Sequence, residues 1–139
     1  LRGIIEAYRY APSERLLESA MRLANALADI QEPSGRLYGR YDAAWRPTVS
    51  WACLTGVAQI AICWLLLDGL TGERRYRTAA LNANRYVRRT IVLDGDPDLC
   101  GGVKGSFPID GEYGAFQYLN WAAKFSIDAN LLEIDLASP

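Results

Sequence analysis

The chain holds 139 residues, half of them apolar and 22% charged, with a formal net charge of −1. That length fits one domain with a real core, and the near-neutral charge removes the electrostatic case for a nucleic-acid partner. Histidine is absent, which excludes Ser-His-Asp and Cys-His catalysis and any zinc site built on imidazole, leaving carboxylates, Tyr and Lys for acid–base work.

The sequence starts at Leu1 rather than Met and carries no signal-peptide pattern, so it reads as a fragment or a trimmed chain. Ser13 caps a predicted helix that runs to about Gln31, with Leu16, Ala20, Leu23, Ala24, Leu27 and Ile30 on one stripe. "EPSGRLYGRYDAAWRPT" follows, a loop punctuated by prolines and glycines. From Val49 to Leu67 the chain is apolar apart from Ser50, Thr55 and Gln59, and Asp68 and Gly69 end the run. Its length approaches the ~20 residues a membrane span needs. Thr55 and Gln59 sit near its middle and no basic cluster flanks it, so no membrane span is expected; a helix apolar all round is a buried one.

The segment from Glu73 to about Thr90 is predicted as an outer helix. Tyr76, Ala79, Ala80, Ala83, Tyr86 and Val87 form its apolar stripe, and Arg74, Arg75, Arg77, Arg85, Arg88 and Arg89 form a solvated face. A long loop covers about 91–117, and a last helix runs from about Tyr118 to Ile134. Cys53 and Cys63 fall about 15 Å apart along one predicted helix and cannot bond. With Cys100 the cysteine count is odd, which argues against a disulfide scaffold and favours a reducing, cytoplasmic setting.

Connections alternate long, short, long. Successive helices then run antiparallel, and both long loops emerge at one end, each leading into a buried helix. The two loops also resemble each other. "GRLYGRY…VSWACLTG" aligns with "GVKGSFP…YLNWAAKF", matching Gly35–Gly39 with Gly102–Gly105, Tyr41 with Phe107 and Trp51 with Trp121. The glycines permit positive φ and close backbone approach. The tryptophans read as plugs at the starts of inner helices.

"WACLTGVAQIAICWLLLDGLTGERRYRTAALNANRYV" and "GGVKGSFPIDGEYGAFQYLNWAAKFSIDANLLE" resemble the α/α-toroid superfamily, the rings of helical hairpins found in terpenoid cyclases, protein prenyltransferases and six-hairpin glycosidases. They look most like bacterial toroid proteins of polysaccharide metabolism, over about residues 13 to 135. The resemblance implies an all-α fold of antiparallel helical hairpins, a single helical domain forming part of a ring. It implies a carbohydrate-active protein that acts on or binds a polysaccharide or oligosaccharide at its long-loop end. A non-catalytic binding or assembly module is the alternative. An isoprenoid-handling toroid is the third, although the DxDD acid of the cyclases is missing because Pro97 and Asp98 follow Asp96.

Flat rings with polar neighbours suit the faces and hydroxyls of sugars. The substrate-binding candidates are Tyr38, Tyr41, Asp42, Trp45, Lys104, Phe107, Tyr113, Tyr118 and Asn120. Asp110 and Glu112 are the candidate catalytic pair, able in principle to divide acid and base roles. Asn120, Lys124 and Asp128 recur every four residues, either lining a ring cavity or forming an inter-helix network. "DGDPD" at 94–98 begins like a calcium loop, but Leu99 stands where glycine is required and Gly105 where the bidentate Glu belongs, so a polar turn is expected. No metal and no cofactor is expected. Four helices cannot enclose both apolar inner helices, so an exposed apolar face and self-association are expected.

Overall fold

A computed structural model of the chain describes residues 1–137. Among them are five helices: α1 (Arg2–Tyr10), α2 (Glu14–Asp29), α3 (Leu54–Thr71), α4 (Arg74–Arg88) and α5 (Asn120–Ala137). Two short strands, β1 (Ala52–Cys53) and β2 (Ser106–Phe107), pair antiparallel. The all-α class holds.

The centre is α3, whose residues are apolar on every side, and it buries Leu54, Val57, Ala61, Ile62, Trp64 and Leu67 among others. Each large apolar side chain taken out of water contributes about 1.5–3 kcal/mol. Trp64 is fully buried and donates its indole N–H to the Ala24 carbonyl at 3.1 Å, which fastens α3 to α2. By length and composition Leu54–Thr71 could cross a membrane; here 61% of it is buried inside the protein.

Gly72, at φ 73°, caps α3 by donating its N–H to Asp68 O at 2.8 Å, and only Glu73 separates it from α4. The expected stripe of α4 is buried at Tyr76, Ala79, Ala80, Ala83 and Val87. Arg77 and Arg88 serve as fasteners. Arg77 holds the buried Asp68 carboxylate at 2.8 Å, and Arg88 holds Glu133 of α5 at 2.9 Å. Removing one partner of such a pair is strongly destabilising, because it leaves a buried group unpaired. Asn84 completes the α4–α5 joint, giving Nδ2–H to Ala129 O at 3.2 Å and to Glu133 at 2.7 Å.

The structure corrects three expectations. Helix α1 was not foreseen; its Ile5 is fully buried and α1 packs on α2 and α3. Helix α3 begins at Leu54, not Val49, because Ala52 and Cys53 pair with Phe107 and Ser106 and the Leu54 N–H donates to Gly105 O at 3.0 Å. Trp121 is no plug. It is 49% exposed, whereas Trp51 is buried and precedes β1 rather than opening a helix. The tryptophan equivalence in the proposed repeat therefore fails. The expected exposed apolar face is present on α5, at Trp121, Ile127, Leu131 and Ile134, while α1 covers part of α3.

Candidate functional site: the long-loop face

Both long loops meet at one end, as their lengths require. The β1–β2 pair joins them at the base. Trp51 fills the seam. A Cβ on Gly39 would lie 2.0 Å from its six-membered ring, and one on Gly111 would lie 2.7 Å from its Cγ, so only glycine fits at either place. Arg40 of the first loop and Glu112 of the second close the rim with a 3.0 Å ion pair.

The first loop, between α2 and β1, is built on aromatic and carboxylate contacts. Tyr38 donates its hydroxyl to Glu32 at 2.6 Å and lies under the Arg36 guanidinium, 4.2 Å from its centroid. That hydrogen bond to an anion raises the Tyr38 pKa above the ordinary phenol value. The Tyr41 hydroxyl accepts the Tyr38 N–H at 2.8 Å, and burial pushes its pKa up. At the tip, Asp42 Oδ1 accepts the backbone N–H groups of Ala44 and Arg46, both at 2.9 Å, while Oδ2 takes Arg46 Nε at 2.8 Å. The Arg46 N–H, the Arg46 side chain and the Ala44 N–H hold this carboxyl below its usual range. It stays an anion that organises the turn.

The turn presents Trp45. Its φ is 60°, in the left-handed region that bulky residues avoid, and its ring is 38% exposed and 6.2 Å from Tyr41. The second loop does the same with Phe116, whose φ is 58° and whose ring is 73% exposed. Its backbone is fixed by the Phe116 N–H donated to Ile109 O at 2.7 Å. Beside it Tyr113 accepts the Trp121 indole N–H at 3.1 Å.

The other predicted residues divide. Tyr38, Tyr41, Asp42 and Trp45 are gathered in the first loop, and Tyr113 stands on the rim of the second. Lys104 is buried; its ammonium donates to Thr90 O at 2.6 Å and sits 5.5 Å over the Tyr118 ring, so both anchor the second loop. Phe107 rests edge-on against Tyr86 at 6.4 Å. The Asn120 side chain accepts the Trp121 N–H at 2.7 Å at the start of α5. Asp110 lies exposed on the turn closed by Gly111 N–H to Pro108 O, and Glu112 is engaged by Arg40. Sequence does not single out Phe116, because side-chain type gives no warning of a left-handed backbone.

Two hollows lie below the face. A small apolar pocket of about 220 Å³ sits under the first loop, lined by Leu37, Tyr38, Gly39, Tyr41, Cys53 and Val57. A cleft of about 470 Å³ lies between α1, α3 and α5, lined by Arg2, Gln59, Cys63, Lys124, Phe125 and Asp128. Ile60 borders both. Lys124 and Asp128 are thus cleft residues and an ion pair at once. Burial pushes the Cys53 thiol up and carries Cys63 to about 11, leaving neither poised as a nucleophile. The 94–98 segment is a turn in which Asp96 Oδ1 accepts the Asp98 N–H at 3.0 Å. Among the described residues no cluster of His, Cys, Asp or Glu is placed to hold a metal. No family model, no curated protein and no solved structure matches this chain.

Proposed function

We propose that this chain is part of a carbohydrate-active α/α-toroid protein, and that its long-loop face holds a polysaccharide by stacking. In this reading α1–α2 and α3–α4 are successive hairpins, α1, α3 and α5 face the ring interior, and the cleft between them belongs to its wall. One observation carries the functional claim. Trp45 and Phe116, one on each long loop, hold exposed rings on left-handed backbones. A bulky residue in that region costs about 1–3 kcal/mol, a cost that clusters at ligand clamps. Phe116, 73% exposed, adds little to the core in return. The loops carrying them are tied together by β1–β2, Trp51 and Arg40–Glu112.

Binding is better supported than turnover. Asp42 is held as an anion by its turn, and Glu112 is committed to Arg40. A glycosidase needs one carboxyl kept protonated and a second facing it across the sugar. Affinity electrophoresis through gels cast with neutral and acidic polysaccharides tests the proposal. Retardation by at least one polysaccharide is expected, relieved in Trp45→Ala and in Phe116→Ala with unchanged melting midpoints. Equal mobility in every gel refutes it.

A further inference from the structure

The hollow of about 220 Å³ beneath the first long loop has a chemistry of its own. Leu27 of α2, Leu37 and Tyr41 of the loop, and Val57 and Ile60 on one face of α3 wall it, so its shape is set within these two hairpins. Its lining holds no charged side chain and no side-chain amide. An apolar cavity of about 150 Å³ stays dry and takes benzene, so this one has room for a group of about six carbons. A sugar hydroxyl pushed into it would trade water for apolar walls. Tyr41 joins the hollow to the binding face. Its ring stands 6.2 Å from that of Trp45, and its hydroxyl accepts the Tyr38 N–H at 2.8 Å. The proton of that hydroxyl meets no acceptor among the described residues.

We infer that the hollow takes an O-acyl ester carried by the polysaccharide, acetyl or a few carbons longer, while the sugar itself lies against Trp45. Three features select an ester. Apolar walls suit an acyl tail, with about a fourfold gain in affinity for each CH₂ buried. An uncharged lining rejects a free carboxylate, which could not shed its water there. The unspent Tyr41 proton suits an ester carbonyl, which accepts a hydrogen bond and donates none. The inference rests on the loop-face reading and adds to it the class of polysaccharide, an acylated one.

Two readouts on the whole chain test it, with thermal melts as the folding control. In methyl-resolved NMR, methyl butyrate should give saturating shifts at Leu37, Val57 and Ile60, and butyrate ion should bind at least tenfold more weakly. Gly56→Val should weaken methyl butyrate at least tenfold by filling the hollow. Gly56→Ala is the milder variant. Its methyl would meet Cys53 Sγ at 3.5 Å, an ordinary contact, and helix propensity favours it; it should weaken the ester about fourfold with a midpoint no lower than the parent's. In affinity gels, naturally O-acylated polysaccharides are each run beside a twin stripped of esters by mild alkali. At least one acylated chain should retard the protein more than its twin does, and Gly56→Val should erase that difference while keeping the retardation common to both. Unmoved methyl signals, or equal binding of ester and carboxylate, overturn the inference. Equal retardation by every pair overturns it too but leaves the loop-face reading standing. No retardation in any gel removes that reading, and this inference with it.

Discussion

Gly39→Ala probes the lock between the two loops. Its new methyl would lie 2.0 Å from Trp51 Cζ3, 2.3 Å from Cε3 and 2.7 Å from Cη2. Carbon atoms in contact rest at about 3.5–4.0 Å, so ring and backbone must part by about 1.5 Å. Neither is free to move. The Gly39 N–H is bonded to Trp51 O at 2.8 Å, and Gly111 stands against the base of the indole. Forced shifts in a packed interior cost about 1–3 kcal/mol, and with both sides pinned the upper part of that range applies. At this chain length that is a fall of about 10 °C in melting midpoint. Gly69→Ala is the internal control. Nothing lies within 4 Å of its added methyl, and it sits inside α3; it should gain about 0.5–1 kcal/mol from helix propensity. Thermal melts of the three proteins decide. A Gly39→Ala midpoint equal to the parent would refute the idea that Trp51 is locked by glycine contacts.

Trp51→Ala should cost about 3–5 kcal/mol as a core truncation, whereas Trp121→Ala should stay within about 1 kcal/mol because its ring is half exposed; urea melts separate them. Burial acts to raise the Glu133 pKa, but hydrogen bonds from Arg88 and Asn84 outweigh it and hold the carboxyl below its usual range. A depressed folded-state pKa means stability present above the unfolded-state value and lost as pH falls through the folded one. Glu133→Gln should therefore cost about 1 kcal/mol near neutral pH, discounted for the half-exposed Arg88, and the gap to the parent should close on acidification below the usual carboxylate range. Iodoacetamide on the native protein should modify the exposed Cys100 and spare the buried Cys63, whose thiol is pushed to about 11, until denaturant is added; peptide mass spectrometry reads both.

Local pattern made some of this fold legible. The 3.6-residue stripes of α2 and α4 are visible in the sequence, and so is the unbroken apolar run that becomes α3. The meeting of the two long loops follows from the alternation of connection lengths between antiparallel helices. The hidden parts depend on distant partners. Helix α1 spans only nine residues and fully buries a single side chain, Ile5, so its stripe is too brief to stand out. Strands of two residues have no period to detect, yet they move the start of α3 from Val49 to Leu54. Trp51 and Trp121 look alike in sequence because each adjoins alanine. Their burial is decided by Gly39 and Gly111, which wall in one ring, while nothing comparable closes over the other. In the site, sequence picked out the ring-rich loops but not the contacts within them, such as the Lys104–Tyr118 cation–π pair and the Lys104 hydrogen bond to Thr90.

The account turns on whether Trp45 and Phe116 receive a sugar. A heteronuclear NMR titration of the chain with oligosaccharides from the polysaccharide that retards it most tests this residue by residue. Saturating shifts at the Trp45 indole N–H and at the Phe116 amide, with the α4 and α2 amides unmoved, are the predicted result. Shifts confined to Arg2, Gln59, Lys124 and Phe125 in the cleft, or no shifts at any saccharide concentration, would contradict it.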